Sequence, residues 1–333
     1  MSPTAPVNNS SAHSSRHGSN DSAEHSSTDS AAGTGSAATG PRPRPGGLTV
    51  IATPLGNPGD LSERARAALR DADLILAEDT RSLRRLLGEQ GVARSEQAIL
   101  SCFDGNEADR AEDAVRRVRA GERVALVSEA GTPLLSDPGF RVVAAVIAAG
   151  LPVQPIPGPS AVLAALMGAG IAADRFTFLG FPPRKPGARR RLFESLRQSP
   201  FTLVLYESPM RAGETLVDLA EALGGSRAAC LARELTKTHE EFVRGSLDAL
   251  AARYREDRPL GEVTLVVAGA DPAEVAREAE EEWSDANVVA EAARLLAGGA
   301  SARDVTDALA ARVERPRRDI YRLVTAAQST PLP

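Results

Sequence analysis

Short apolar runs rich in β-branched residues alternate along this chain with longer segments whose apolar positions recur at helical spacing. The pattern predicts strands near 48–52, 74–77, 124–128 and 153–156, with helices over 62–72, 82–87, 106–120, 140–149 and 161–167. Gly121 and Gly150 stand where left-handed helix ends are expected. These elements make a first α/β domain over 47–170. After a break at 168–174, strands over 176–179, 202–207, 228–233 and 263–268 and helices over 188–195, 211–223 and 248–256 predict a second over 171–271. Strand-helix alternation of this kind predicts parallel sheet units. The remainder, 272–328, has no β run; it reads as three short helices over 286–297, 302–311 and 317–326, a module of helix-turn-helix type or a packing unit.

Composition shortens the folded part. Of the 333 residues, 1–46 are almost devoid of large apolar side chains and cannot offset the entropy of ordering, so a disordered tail is expected. Three of the four histidines, His13, His17 and His25, fall in that tail, and His239 is left without a second histidine, so no metal site is expected. The tail lacks the apolar segment of a signal peptide, and no later run is long enough to span a bilayer, which points to the cytoplasm. Cys102 and Cys230 form no C-x-x-C pair and read as ordinary interior residues. A net charge of −5 argues against a uniformly basic nucleic-acid coat. Locally the balance reverses: Arg184, Lys185, Arg189, Arg190 and Arg191 crowd one loop beside Phe178 and Phe181, and Arg315, Arg317, Arg318 and Arg322 follow near the C-terminus. Such patches can hold a phosphate backbone.

Candidate chemistry lies where strands stop at loops broken by Gly and Pro. ATPLGNPGDLS follows GGLTVI, SEAGTPLLSDPG follows ERVALV, and PIPGPSA follows GLPVQ. Strand ends of this kind present backbone amides to ligands in α/β proteins. Glu78 and Asp79 are adjacent after the second strand and cannot both point inward, so one is expected to be bonded by ligand or backbone while Arg81 faces a neighbouring charge. Ser160 is placed to cap an apolar helix whose first amides could hold an anion. No G-x-G-x-x-G, G-x-x-x-x-G-K-[ST] or G-x-S-x-G string follows a strand, which excludes the dehydrogenase, P-loop and hydrolase readings.

Taken in order, ATPLGNPGDLS, LILAEDTR, ALVSEAGTPLLSDPGF, PIPGPSAVLAAL, FLGFPPRKPGARRR, YESPMR, ARELTKTHEE and GEVTLVVAG resemble the bacterial small-subunit ribosomal RNA (cytidine-1402)-2'-O-methyltransferases. The resemblance runs from Gly47 to Gly269, and the C-terminal helices are similar to that family's small trailing module. It implies two α/β domains of the tetrapyrrole-methylase-like type with a small C-terminal helical module, S-adenosyl-L-methionine between them, a homodimer, and 16S rRNA, within the 30S subunit, as partner. Three departures stand out: Glu129 replaces the family's usual Asp before Ala-Gly-Thr-Pro, Phe103-Asp104-Gly105 precedes Asn106-Glu107 where the family often has a His-rich stretch, and Met210 replaces a common histidine. The last two weigh against histidine catalysis here.

On this resemblance the cofactor is expected to meet Pro54, Leu55 and Gly56 in the first loop, and Gly131, Thr132, Pro133, Leu135, Ser136 and Asp137 in the second. Further contacts are expected from Pro157, Gly158, Ser160 and Ala161, then Tyr206, Val263 and Leu265. The acceptor ribose would lie between Glu129, Asn106 and the 234–240 segment, with RNA held by Asn106 and by Arg184, Lys185, Arg189, Arg190 and Arg191. Methyl transfer needs alignment of donor and hydroxyl and an acceptor for the hydroxyl proton. Glu129, Lys237 and Glu240 are the candidates for that role, Lys237 alternatively holding phosphate. A tetrapyrrole-type small-molecule methyltransferase and a non-catalytic RNA-binding scaffold are the competing readings; the arginine-rich loop disfavours the first, and cofactor binding would separate both enzymes from the second.

Overall fold

The computed structural model describes residues 46–92, 98–313 and 315–329. The tail expected over 1–46 lies outside them except for Gly46.

The first sheet is wholly parallel. Its strands β1 (Gly47–Ile51), β2 (Leu74–Ala77), β3 (Ile99–Ser101), β4 (Arg123–Val127) and β5 (Val153–Ile156) lie in the order β3-β2-β4-β1-β5. Both faces of the central strands β2 and β4 are covered, which is why these two read as nearly unbroken apolar runs. Ile51, Ile75 and Val127 pack with α1 (Glu63–Asp71) and α2 (Thr80–Glu89) on one face. Leu48, Leu76 and Leu126 pack with α3 (Glu107–Arg119) and α4 (Phe140–Ala148) on the other. Neighbouring β1 and β4 send their connections in opposite directions along the sheet, so their loops part at the carboxyl edge, where open α/β sheets hold ligands. An antiparallel bridge ties the loops together: the Thr53 amide donates to the Gly131 carbonyl at 2.8 Å and the Gly131 amide returns the bond at 3.0 Å.

The second sheet is mixed, which corrects the expectation of parallel units. β6 (Phe176–Phe178), β7 (Thr202–Glu207), β8 (Ala228–Arg233), β9 (Glu241–Ser246) and β10 (Val263–Val267) run in the order β6-β7-β10-β8-β9, and only β6 and β7 are parallel. The misreading has a physical source in β9. This edge strand buries only Val243, so it gives no apolar run, yet it makes an antiparallel hairpin with β8. One sheet face packs Leu203, Leu231 and Leu265 against Phe193 of α6 (Pro186–Glu194), Leu216 of α7 (Ala212–Leu223) and Leu250 of α8 (Leu247–Tyr254). The other packs Val204, Cys230 and Val266 against Val162, Ala165 and Leu166 of α5 (Ala161–Ala169), the helix that follows the last strand of the first sheet.

Beyond α9 (Pro272–Glu282), which the sequence pattern did not reveal, α10 (Asp285–Ala297), α11 (Ala302–Val313) and α12 (Arg317–Ser329) share a core of Val288, Val305, Leu309, Ile320 and Val324. Two of the basic residues expected to reach RNA from here have acidic partners: Arg315 pairs with Asp285 at 2.8 Å, and Arg317 with Asp307. No helix among the described residues is long and apolar enough to cross a membrane.

The arginine-rich segment, expected as one loop, divides in two: Arg184 and Lys185 precede α6, and Arg189, Arg190 and Arg191 lie on it. Arg189, expected to contact RNA, is only 2% exposed; its Nε donates to Asp218 Oδ2 on α7 at 2.6 Å, while Nε of Arg190 donates to Oδ1 at 2.8 Å. Arg189 is therefore a structural anchor, because a buried guanidinium is tolerated only with its carboxylate. Removing the buried carboxylate in Asp218→Ala is expected to lower the unfolding free energy in urea by about 3–5 kcal/mol, whereas Arg190→Ala at the half-exposed position should cost far less. Equal, small losses for both variants would refute the anchor role.

Candidate active site

A cleft of about 780 Å³ opens at the carboxyl ends of β1, β2 and β4 and is faced by the ends of β7 and β10 and by Lys237 of the 234–240 turn. Its volume lies in the upper part of the usual range for small-ligand sites, roughly 300–1,000 Å³. Pro54, Leu55 and Gly56 line it from the first loop, Gly131, Thr132, Leu135 and Asp137 from the second, and Ala161, Tyr206 and Val263 from beyond.

The second loop is held in an uncommon shape. Leu134 and Ser136 both take left-handed backbone conformations, φ 76° and 70°, at a cost of about 1–3 kcal/mol each. Glu107 offsets part of that cost from α3. Its carboxylate is buried, and Oε1 accepts the amides of Gly139 at 2.9 Å and Arg141 at 2.6 Å, fixing the loop where α4 begins. Thr132 Oγ1 adds a bond to the Pro159 carbonyl at 2.9 Å. The alternation of left-handed and ordinary residues directs Leu135 and Asp137 into the cleft, and Pro133 and Ser136 do not line it.

Carboxylates dominate the inner wall. Of the adjacent pair after β2, Asp79 caps α2, accepting the amides of Arg81 at 2.7 Å and Ser82 at 3.1 Å, and these backbone bonds hold its pKa below the ordinary value. Glu78 turns into the cleft, where its Oε2 accepts the Glu129 amide at 3.0 Å. The Ser82 hydroxyl donates to Glu129 Oε1 at 3.1 Å and orients that side chain. Burial, together with the charges of Glu78 and Glu129, pushes the Asp137 pKa up to about 6 against a hydrogen bond from Ser128. Burial and the Asp137 charge raise Tyr206 to about 12, opposed by a hydrogen bond with the Val162 backbone at the start of α5. A wall with three convergent carboxyl groups and little compensating positive charge suits a cationic ligand.

The other candidates are engaged elsewhere. Burial disfavours the Lys237 ammonium, but its bonds to Glu234 at 3.0 Å and Glu262 at 3.2 Å prevail and raise its pKa, so it stands as a paired cation. Glu240 lies outside the cleft lining; its Oε2 accepts the Thr236 amide at 2.7 Å and steadies a turn in which Glu234 and Thr236 both have positive φ. Asn106 is likewise committed, accepting the Phe103 amide at 2.9 Å and donating to the Ser101 carbonyl at 3.1 Å. Leu265 points into the α7–α8 core, because alternation along β10 sends its neighbour Thr264 to the cleft instead. Pro157, Gly158 and Ser160 do not line the cleft; a Cβ at Gly158 would sit 3.0 Å from that of Ala52, so the close approach there is to the end of β1. Arg184, Lys185 and Arg191 are exposed. Sequence reading missed Ser82, Glu207, Glu262 and Thr264, although Glu207 stands where β7 stops, the kind of position at which the other loops were sought.

Residues 47–251 match the tetrapyrrole (corrin/porphyrin) methylases, so fold and site define a methyltransferase. The fold is similar to that in the crystal structure of the methyltransferase CobJ, with a TM-score of 0.50 and 22% identity over 68% of this chain and 95% of that one. Among curated proteins, ribosomal RNA small subunit methyltransferase I of Synechocystis is 42% identical over 83% of this chain and 96% of its own length. The Mycobacterium tuberculosis protein of the same name is 49% identical over 68% of this chain and 79% of its own length. The chain belongs to this ribosomal RNA small subunit methyltransferase I family within the tetrapyrrole methylases.

Asp137 gives the site a measurable signature. The folded protein holds its proton more tightly than the unfolded chain, whose aspartates titrate near about 3.9. The resulting stability is complete below about pH 4 and is lost as the pH rises through about 6. Urea unfolding at both ends of that window should show Asp137→Asn gaining about 1–2 kcal/mol on the wild type as pH rises, solvent screening of a partly buried group being allowed for. Parallel pH profiles would show that Asp137 titrates normally.

Proposed function

We propose that this chain transfers the methyl group of S-adenosyl-L-methionine to the 2'-hydroxyl of cytidine 1402 in 16S rRNA, acting in the cytoplasm as a homodimer on the 30S subunit. The observation that carries the reading is a contrast of charge: the cleft wall presents Glu78, Glu129 and Asp137, while Arg184 and Lys185 are exposed on the loop that continues from Phe181 at its mouth. A cation is favoured inside and a polyanion outside. A porphyrinoid acceptor would have less use for the exposed basic loop. The homodimer is supported by large apolar side chains left in solvent, Phe140 and Ile147 two turns apart on α4 and Leu163 and Met167 one turn apart on α5.

When bound, the cofactor supplies an activated methyl group on a sulfonium centre. The chain has to attract that cation, exclude alternative poses and receive the hydroxyl proton. Glu78 and Asp137 serve the first need through their charge. Leu55 and Leu135 line the same space with apolar surface, and Gly131, with φ 81° and the Leu55 side chain 3.0 Å from where its Cβ would be, keeps that space open. Glu129 serves as proton acceptor: Ser82 fixes one of its oxygens and leaves the other free to face the acceptor. Lys237 and Glu240 are already bonded within their own turn.

Mass analysis of 16S nucleosides after incubation with labelled cofactor and either naked RNA or 30S subunits tests the activity and its substrate form. Methylation of neither, or of a base in place of a ribose, would refute the reading. Under general-base catalysis Glu129→Gln should lower the single-turnover rate of the saturated complex by about 10²-fold or more while cofactor and RNA affinities hold. A loss of RNA affinity with the rate intact would assign Glu129 to positioning instead.

A further inference from the structure

Phe181 lines the mouth of the cleft and leaves 57% of its surface in water. An exposed ring is ordinary when it is mobile; this one is held in place. The β6–β7 ladder continues past the end of β6, with the Leu179 amide donating to the Val204 carbonyl at 2.8 Å and the Tyr206 amide to the Gly180 carbonyl at 2.9 Å. Gly180 has φ 61°, and a Cβ there would lie 3.2 Å from Ser136 Oγ, so the backbone passes close against the strained second loop. Pro182, which is buried, and Pro183 fix the exit. The ring itself leans on Tyr206, centroids 5.5 Å apart, and Tyr206 meets Phe178 edge-on at 4.9 Å. Phe181 is thus the outermost member of a rigid aromatic row, and Arg184 and Lys185 stand exposed a few residues on.

A ribose hydroxyl is brought into a recessed cleft most readily when its nucleotide leaves the stack of its strand, and a base that has left its stack needs a new flat partner. We propose that Phe181 is the platform on which the pyrimidine of the acceptor nucleotide stacks, turned out of its strand, with Arg184 and Lys185 holding the adjoining phosphate. The inference rests on the reading of the chain as an RNA 2'-O-methyltransferase and names the group that receives the base.

The test compares wild type, Phe181→Ala and Phe181→Tyr with 30S subunits at saturating cofactor. Phe181→Ala should raise the subunit concentration at half-maximal rate by roughly 10-fold, within the range measured for loss of one base–aromatic stack, and Phe181→Tyr should restore it. Cofactor affinity by calorimetry should not move. A fluorescent cytosine analogue at the acceptor position should be quenched by the wild type and by Phe181→Tyr but not by Phe181→Ala. Unchanged half-saturation and quenching in Phe181→Ala would overturn the platform, and so would a matching loss of cofactor affinity, which would place the ring against the donor. A wild-type protein that methylates no subunit RNA would overturn the underlying reading, a result visible before any variant is compared.

Discussion

The packing of α5 against the second sheet is the constraint on which the rest of the site depends. The helix follows the last strand of the first sheet, yet Val162, Ala165 and Leu166 are buried against Val204, Cys230 and Val266 of the second. This apolar contact fixes one set of strand ends opposite the other. Without it, Glu78, Glu129 and Asp137 from the first sheet and Tyr206, Val263 and Thr264 from the second would not enclose one cleft. The helix start is itself tied in through the hydrogen bond between Tyr206 and the Val162 backbone.

Within that frame, strain and charge are placed close together. Leu134 and Ser136 take left-handed conformations in a loop whose far end Glu107 pins through two amides. Across the cleft a second strained turn, with Glu234 and Thr236 at positive φ, brings Lys237 to Glu262. One loop delivers a carboxyl group whose charge is disfavoured by its neighbours, and the other a lysine whose charge is secured by its neighbours. The cleft consequently has an unneutralised acidic wall facing a neutralised basic one.

Much of the fold was legible in the sequence because buried strands and well-ended helices leave strong patterns. Parallel strands covered on both faces, such as 124–127, read as continuous apolar runs, and Gly121 and Gly150 end helices where expected. What was lost is what those patterns do not encode. The edge strand β9 buries one side chain, and the three residues of β3 are too few for periodicity to show. At the site, loops were legible as loops, but orientation within them was not: Asp137 and Ser136 are neighbours, and only left-handed backbone at Ser136 decides which of them faces the cleft. Arg189 and Arg190 look alike beside Arg191 in the sequence, and although both bond Asp218, 29 residues on from Arg189, only Arg189 is buried in doing so.

That division within one run of arginines sets how the protein responds to ionic strength. Salt at about 0.15 M screens exposed charges beyond about 8 Å but acts weakly on a buried pair. Arg184, Lys185 and Arg191 are exposed and subject to screening, while the Arg189–Asp218 bond that roots the same loop is shielded by the core around it. Rising salt therefore weakens the field of these exposed charges while the segment that carries them keeps its shape, and falling salt restores that field on a surface that never had to refold.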